Sequence, residues 1–549
     1  MTAIEAAPPP AGSTGRLRLA HVALAAILLA AVFTRFWRLD TPAVCYFDEV
    51  YFPTTGAEIL HGDDKAWEFY GHENTHPPLS KLLMAAGMGI FGHADPGTAG
   101  NGCWGDAEDA AKKLDPSWTY EPFGWRFFGA LAGVGAVIFM YLLARRLFQS
   151  EVAGLAGAFL LTFEGLAFAQ SRIATPDTYV LFFVLACVYF LVSERFLLAG
   201  LFLGAAAASK WVGAYTMAPI VAYFIWMFLR RFRETEPDES LRNYEAVLIA
   251  GLAVTVVGGA IGGAAYVLAD TFIGFFFAVP GIFVVLGALA VMLFDGTARD
   301  SARGRLYLET GFSFPIFFIL VPGIVYTLTY IPMFLNGHSP VDAWELNEGA
   351  YNFHRTLDQP HGYSSPWYTW PVLARPLYLY AGAGNARIYS LGNPLVFWIG
   401  LVALGFVVMQ ALRYVKVRLD ADTGALSVKG FVTFGQAPLL FVVLGFLGFW
   451  LPWAAQGRVL FLYHYLPALA FVILAFSYFI HRLWYDEQRL GRFVAVGLLA
   501  AVAVTFIYFY PHLAAVDVPG WLERTYYWEK LNWLIPDWLV PDKVEFNWR

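Results

Sequence analysis

Charge is scarce in this chain. Only 14% of its 549 residues are Asp, Glu, Lys or Arg, where soluble domains carry roughly a quarter. That shortage excludes an ordinary water-soluble globule. Cysteine is scarcer: three residues exclude a disulfide scaffold. No tract of Lys and Arg suits nucleic acid. No glycine-rich loop follows a strand to cradle a nucleotide phosphate. No His or Cys cluster has zinc spacing, and no Ser-His-Asp order marks a hydrolase. The internal repeat that builds many transporters is missing too.

What fills the sequence is hydrophobic surface, at 58% of residues and a mean hydropathy of +0.54. Apolar runs recur from Leu19 to Tyr510, each near the ~20 residues that carry a helix across a bilayer. They do not alternate as barrel strands do. The expectation is an all-α polytopic membrane protein. Thirteen spans are read, at 18–37, 125–147, 152–171, 177–194, 197–212, 214–230, 244–268, 271–294, 311–334, 394–413, 435–454, 459–482 and 492–511. Residues 1–17 read as a disordered cytoplasmic tail, 18–511 as the transmembrane domain and 512–549 as an exported interfacial tail rich in Trp and Tyr. The first run reads as an uncleaved signal anchor. With the N-terminus inside, every second junction carries Lys or Arg, from Arg145 and Arg146 to Arg482 and Arg489, as the positive-inside rule asks. Two long loops, 39–124 and 336–393, then face outward. Loops of that length are usually functional. Cys45 and Cys103 share the first, as a disulfide or as two free thiols; Cys187 reads as packing.

The residues suited to chemistry gather at the outward ends of the spans. Asp48 and Glu49 stand among Tyr46, Phe47, Tyr51 and Phe52. An apolar wall raises a carboxylate's pKa and makes it a better base; the alternative is that Asp48 caps a helix over 50–60 that ends at Gly62. His76-Pro77-Pro78 predicts a rigid extended turn entering a helix, with Lys81 about a turn further on. His76 and Lys81 are there to bind an anion, or the turn is only a turn. Arg126, at the outer end of the second span, faces a partner or snorkels. Arg172 and Asp177 share a tight turn and either pair with each other or join a site under the first loop. Arg458 precedes Tyr463-His464-Tyr465, where a His near the membrane surface asks for a polar surrounding. His354, His361 and the segment Ser364 to Pro371 mix aromatic and polar residues in the second loop, a composition suited to a sugar or to an interface.

Taken in order, these segments resemble the protein O-mannosyltransferases that use dolichyl- or polyprenyl-phosphate-mannose. The residues that carry the resemblance are Phe47-Asp48-Glu49, His76-Pro77-Pro78 with Lys81, Arg126, Ser209-Lys210-Trp211, Ser365-Pro366-Trp367 through Trp370-Pro371, Leu391-Gly392-Asn393-Pro394 and Tyr463-His464-Tyr465-Leu466-Pro467. The likeness is to bacterial members, without the soluble carbohydrate-binding domain of fungal ones. Two stretches depart from the family pattern: 92–118, and 271–305, which reads as an insertion of two spans. The resemblance implies the GT-C membrane glycosyltransferase fold and inverting transfer of mannose from a polyprenyl monophosphate to Ser or Thr hydroxyls. It implies that Asp48 is the catalytic carboxylate and that Arg126 serves the carrier phosphate. Glu49 is expected as the second catalytic carboxylate, orienting Asp48 or contacting the sugar, with His76, Lys81, Arg172, Asp177, Arg458, Tyr463 and His464 around the substrates. The expected partners are the donor lipid and an exported polypeptide, and the expected location is the bacterial plasma membrane with the site outside. No motif calls for a cofactor, and a divalent ion is left open. The rival readings are transfer of another sugar to lipid or cell-wall glycan, a secondary transporter, and a non-catalytic assembly factor.

Overall fold

A computed structural model describes residues 13–69, 73–92, 122–269, 273–357, 359–412, 416–419, 426–429, 437–527 and 548. Among them, ten helices are long and apolar enough to cross a membrane. The chain is a multi-pass membrane protein, built from helices as the apolar runs predict. The expected thirteen spans do not all reach that length. The span read at 152–171 is two helices, Glu151–Thr162 and Gly165–Gln170, and those read at 177–194 and 197–212 are the shorter helices Asp177–Val192 and Phe196–Ser209. One short apolar helix, Leu79–Phe91, lies inside what the sequence presents as a loop.

The break at 152–171 has a polar cause. Glu164 caps the second piece, its Oε2 accepting from the Ala167 amide at 2.6 Å. Its Oε1 accepts from the Asn393 amide at 2.9 Å, and Asn393 Nδ2 donates to the Phe163 and Val502 carbonyls at 3.0 and 2.9 Å. Backbone groups freed by a broken helix are thus satisfied inside the protein, as a membrane demands. Gly165 lets the Leu391 carbonyl approach: a Cβ there would lie 2.4 Å from that oxygen.

The chain forms two compact units, one of residues 1–218 with 323–549 and one of 219–322. The second is a helical unit with its own core of Leu241, Leu248, Ala288, Leu289, Met292, Ala298 and Leu308. The region 271–305, read as an insertion, falls within it.

In the first unit the first loop is folded onto the bundle. Pro78 ends the turn and the helix Leu79–Phe91 begins, as His76-Pro77-Pro78 predicts. That helix lies on the long helix Pro122–Phe148 through a glycine contact so close that a Cβ on Gly87 would stand 2.2 Å from the Gly124 carbonyl. Phe52, Ala57, Met84, Met88, Trp125, Ala132, Ala174 and Tyr179 form the apolar floor. Ala66 and Trp67 pack with Tyr330, Met333 and Ala343, which ties the first loop to the helix Pro340–Thr356 of the second. A hairpin of Leu377–Ala381 and Arg387–Ser390 completes that second loop. Cys45 is disulfide-bonded and Cys187 is a free, buried thiol; Cys103, like residues 93–118 of the divergent stretch, 1–12 of the N-terminal tail and 528–547 of the exported tail, lies outside the described residues.

Candidate active site

Asp48 and Glu49 part at a single turn of 3-10 helix, Phe47–Val50, entered from an extended Tyr46. Phe47 has φ +52°, a left-handed conformation that a bulky residue adopts only under constraint. Its ring stands edge-on to Phe461 and Tyr463, centroids 6.4 and 6.5 Å away. The turn buries Glu49 completely and leaves Asp48 partly exposed. Asp48 caps no helix: the helix Phe52–His61 starts from Tyr51 without a side-chain cap, though it does end at a left-handed Gly62.

Four of the expected site residues are consumed by the scaffold. Glu49 Oε1 accepts from Arg126 Nε at 2.8 Å and from the Ala174 amide at 2.9 Å. Its Oε2 accepts from Arg126 Nη2 at 2.7 Å. The remaining Arg126 donors reach the carbonyls of Leu39 at 3.1 Å, Pro42 at 2.9 Å and Val44 at 3.0 Å. A guanidinium has five N–H groups, and five protein acceptors take them, so none is left for a carrier phosphate. Arg172 is spent in the same way. It donates to the carbonyls of Thr34, Arg35, Trp37 and Arg38 at 2.8 to 3.1 Å, capping the end of the first helix, where a cation suits the dipole. The Arg172–Asp177 pair that the sequence allowed does not form. Lys81 Nζ donates to the Glu73 carbonyl, to Asn74 Oδ1 at 3.1 Å and to the His76 carbonyl at 3.1 Å, and it pairs with Glu73 Oε2 at 3.3 Å.

Asp48, His464 and Arg458 keep polar atoms free among the described residues. The Asp48 carboxylate accepts no hydrogen bond, and burial pushes it up to about 7, against the pull of Lys210 and with the push of Asp177 and Glu73. Lys210 terminates the helix Phe196–Ser209 and holds both Asp177 oxygens, at 3.0 and 3.1 Å. Its ammonium lies 5.0 Å from the centre of the Tyr463 ring. His464 stacks on Trp370 and is buried with Nε2 unpartnered. Arg458 donates Nη1 to His354 Nδ1, and no described group takes its Nη2. His354 Nε2 bonds the Thr75 carbonyl at 2.8 Å; burial, with His76 and Arg458 beside it, lowers this imidazole to about 3. His76 and His354 stand edge to face at 5.1 Å. One face therefore gathers Asp48, Lys210, Tyr463, His464, Arg458, His354 and His76.

One neighbour of this face, Glu73, is not singled out by the sequence, and two of its members, Lys210 and His354, are named there without a role. Glu73 gives no motif, yet burial, which would raise its carboxyl, is outweighed by Lys81 and His76, and it is held at about 2. Lys210 looks like an interruption between two spans. His354 is one polar residue in an aromatic loop.

Comparisons with known proteins bear on the family and the fold. Residues 25–268 match the family model Dolichyl-phosphate-mannose-protein mannosyltransferase, and 341–535 match the C-terminal four TMM region of protein-O-mannosyltransferase. The Polyprenol-phosphate-mannose--protein mannosyltransferase of Mycolicibacterium smegmatis strain MKD8 is 25% identical, over 94% of this chain and 92% of its own length. That of Mycobacterium tuberculosis strain CDC 1551 is 25% identical, over 96% and 93%. The fold is shared with the S. cerevisiae protein O-mannosyltransferase Pmt1-Pmt2 complex bound to the sugar donor, at a TM-score of 0.63 and 15% identity, covering 92% of this chain and 91% of that one. The chain belongs to the protein O-mannosyltransferase family and has the GT-C membrane glycosyltransferase fold.

Proposed function

We propose that this enzyme transfers mannose from a polyprenyl monophosphate to Ser and Thr hydroxyls of exported polypeptides, with inversion at the anomeric carbon and Asp48 as the general base. The observation that carries the reading is the Asp48 carboxylate: without a hydrogen bond from any described residue, partly exposed, raised toward neutrality by burial, and set by a constrained turn within the field of Lys210. A base matched to neutral pH is an effective one. In the step, the acceptor oxygen attacks C1 from the face opposite the phosphate. The C1–O bond to phosphate breaks with its electron pair, and the hydroxyl proton passes to Asp48. The leaving phosphate needs positive charge and donors rather than a strong acid. Lys210, the free Nη2 of Arg458 and His464 Nε2 supply them. Arg126 and Glu49 act as positioning residues that fix the loop carrying Asp48, and Arg172 ties that loop to the first helix. Asp177 aims Lys210.

The membrane is the bacterial plasma membrane in this reading. The N-terminus is cytoplasmic, residues 18–511 form the catalytic domain, and the loops 39–124 and 336–393, with the span ends that carry Lys210, Arg458 and His464, form the site on the exported face, where lipid-borne sugar and exported polypeptide meet. The test is product analysis. Membranes carrying the enzyme, given radiolabelled polyprenyl-phosphate-mannose and a Ser/Thr-rich peptide, yield mannosyl peptide whose anomeric configuration is opposite to the donor's. Label appearing only in lipid or glycan would overturn the acceptor assignment, and retention of configuration would overturn the single displacement.

A further inference from the structure

His76 has a use that the phosphate site leaves unexplained. It sits on the turn before Pro77-Pro78, with Nδ1 2.8 Å from Glu73 Oε1 and 2.9 Å from Thr75 Oγ1. Glu73 is paired with Lys81 at 3.3 Å, so it is ionised, and an ionised carboxylate only accepts. Thr75 sends its own proton to the same oxygen at 2.5 Å, so its lone pairs also face His76. Both partners require the proton on Nδ1. Nε2 is then a bare lone pair, and no described residue donates to it. The neighbours do not offer a proton either: His354 has both nitrogens engaged, with Arg458 and with the Thr75 carbonyl. A second proton on the ring is opposed by burial and by Lys210, which outweigh Glu73.

A free acceptor cannot hold a phosphate oxygen, which is itself an acceptor. Its ligand must bring a proton. The acceptor Ser or Thr has a single hydroxyl proton, and Asp48 takes it. The donors that remain are the sugar's hydroxyls and the polypeptide's backbone amides, and the sugar is the one held between the base and the phosphate cations, where His354 and Lys210 neighbour His76. We propose that His76 Nε2 holds one hydroxyl of the transferred sugar, with Glu73 as the positioning residue that fixes its tautomer, so that this pair reads the sugar while Lys210 and Arg458 read the phosphate. The inference rests on the proposed mannosyl transfer.

A substrate-side cycle tests it. Wild type, His76→Asn and His76→Phe are assayed with polyprenyl-phosphate-mannose and with its 2-, 3-, 4- and 6-deoxy analogues, and melting temperatures are recorded. Asn retains a group at the Nδ1 position, and Phe keeps the ring packing against Phe52 and His354; both lack Nε2. In wild type, deleting the bonded hydroxyl costs about tenfold in kcat/KM, the scale of one hydrogen bond. Each variant loses about tenfold with the full donor and then nothing more when that one hydroxyl is removed, while the other deletions cost what they cost wild type. If every deletion remains as costly in a folded variant as in wild type, His76 does not read the sugar. A loss beyond a thousandfold with all donors, with the acid limb of the pH profile abolished, would instead make His76 the base. A wild type that transfers from no mannosyl donor overturns the proposed function, and this inference with it.

Discussion

Asp48→Asn trades activity for stability, and the size of the trade follows from the raised carboxyl. The group titrates at about 7 in the fold against an ordinary 3.8. Between those values the folded protein keeps a proton that the unfolded chain releases, so stability falls as pH rises through that window. At about 1.4 kcal/mol per pH unit, the full loss above pH 7 is about 4 kcal/mol; solvent screening at a partly exposed group brings it nearer 2–3 kcal/mol. Asn is neutral at every pH and escapes the loss. Thermal unfolding in detergent shows the difference: the variant melts higher than wild type at pH 8, and the two converge as the pH falls toward 4. The wild-type rate has the matching limb, with about a tenth of the carboxylate ionised at pH 6. A variant no more stable than wild type at pH 8, or a gap unchanged between pH 4 and 8, would refute the argument that burial raises Asp48.

Other perturbations separate scaffold from chemistry. Arg126→Met leaves the buried Glu49 carboxylate and three carbonyls without their donor and costs about 3–5 kcal/mol in unfolding experiments; a normal melting temperature with only a raised donor KM would put Arg126 on the phosphate instead. Lys210→Met lowers kcat about 100- to 1,000-fold, the scale of a lost anion-stabilising donor. It also moves the midpoint of the rate profile upward, because the Lys210 ammonium holds Asp48 down; a downward shift would contradict the placement. His354→Ala releases Arg458 from its imidazole and weakens donor binding about tenfold, read as a rise in donor KM with kcat nearly kept; an unchanged KM would remove Arg458 from the phosphate.

The hydrophobic runs made the helical membrane fold legible, because span length and burial leave their mark in composition. The turn at His76-Pro77-Pro78 and the helix end at Gly62 were legible as local backbone chemistry. The helix break at Phe163 and Glu164 was not, since its cause is Asn393, more than 200 residues away. The site shows the same divide. Asp48 and Glu49 stand out as a carboxylate pair among aromatics, yet nothing in their spacing says which one is buried against an arginine. Arg126, Lys81 and Arg172 have the composition of phosphate ligands. Only three-dimensional structure reveals that carbonyls of Leu39, Pro42, Glu73, Arg35 and others have already claimed them. Lys210 and His354 were visible only as members of a motif and of a polar, aromatic loop; their partners Asp177, Tyr463 and Arg458 are found only in the fold.

The most direct measurement of the central claim is the single-turnover transfer rate of mannose from polyprenyl phosphate to a Ser/Thr-rich peptide, by purified wild type and Asp48→Asn at pH 7.5, with melting curves alongside. The account predicts a fall of about 100- to 10,000-fold, the span of general-base catalysis, in a variant that is folded and at least as stable as wild type. A folded variant that transfers within a few-fold of the wild-type rate contradicts it.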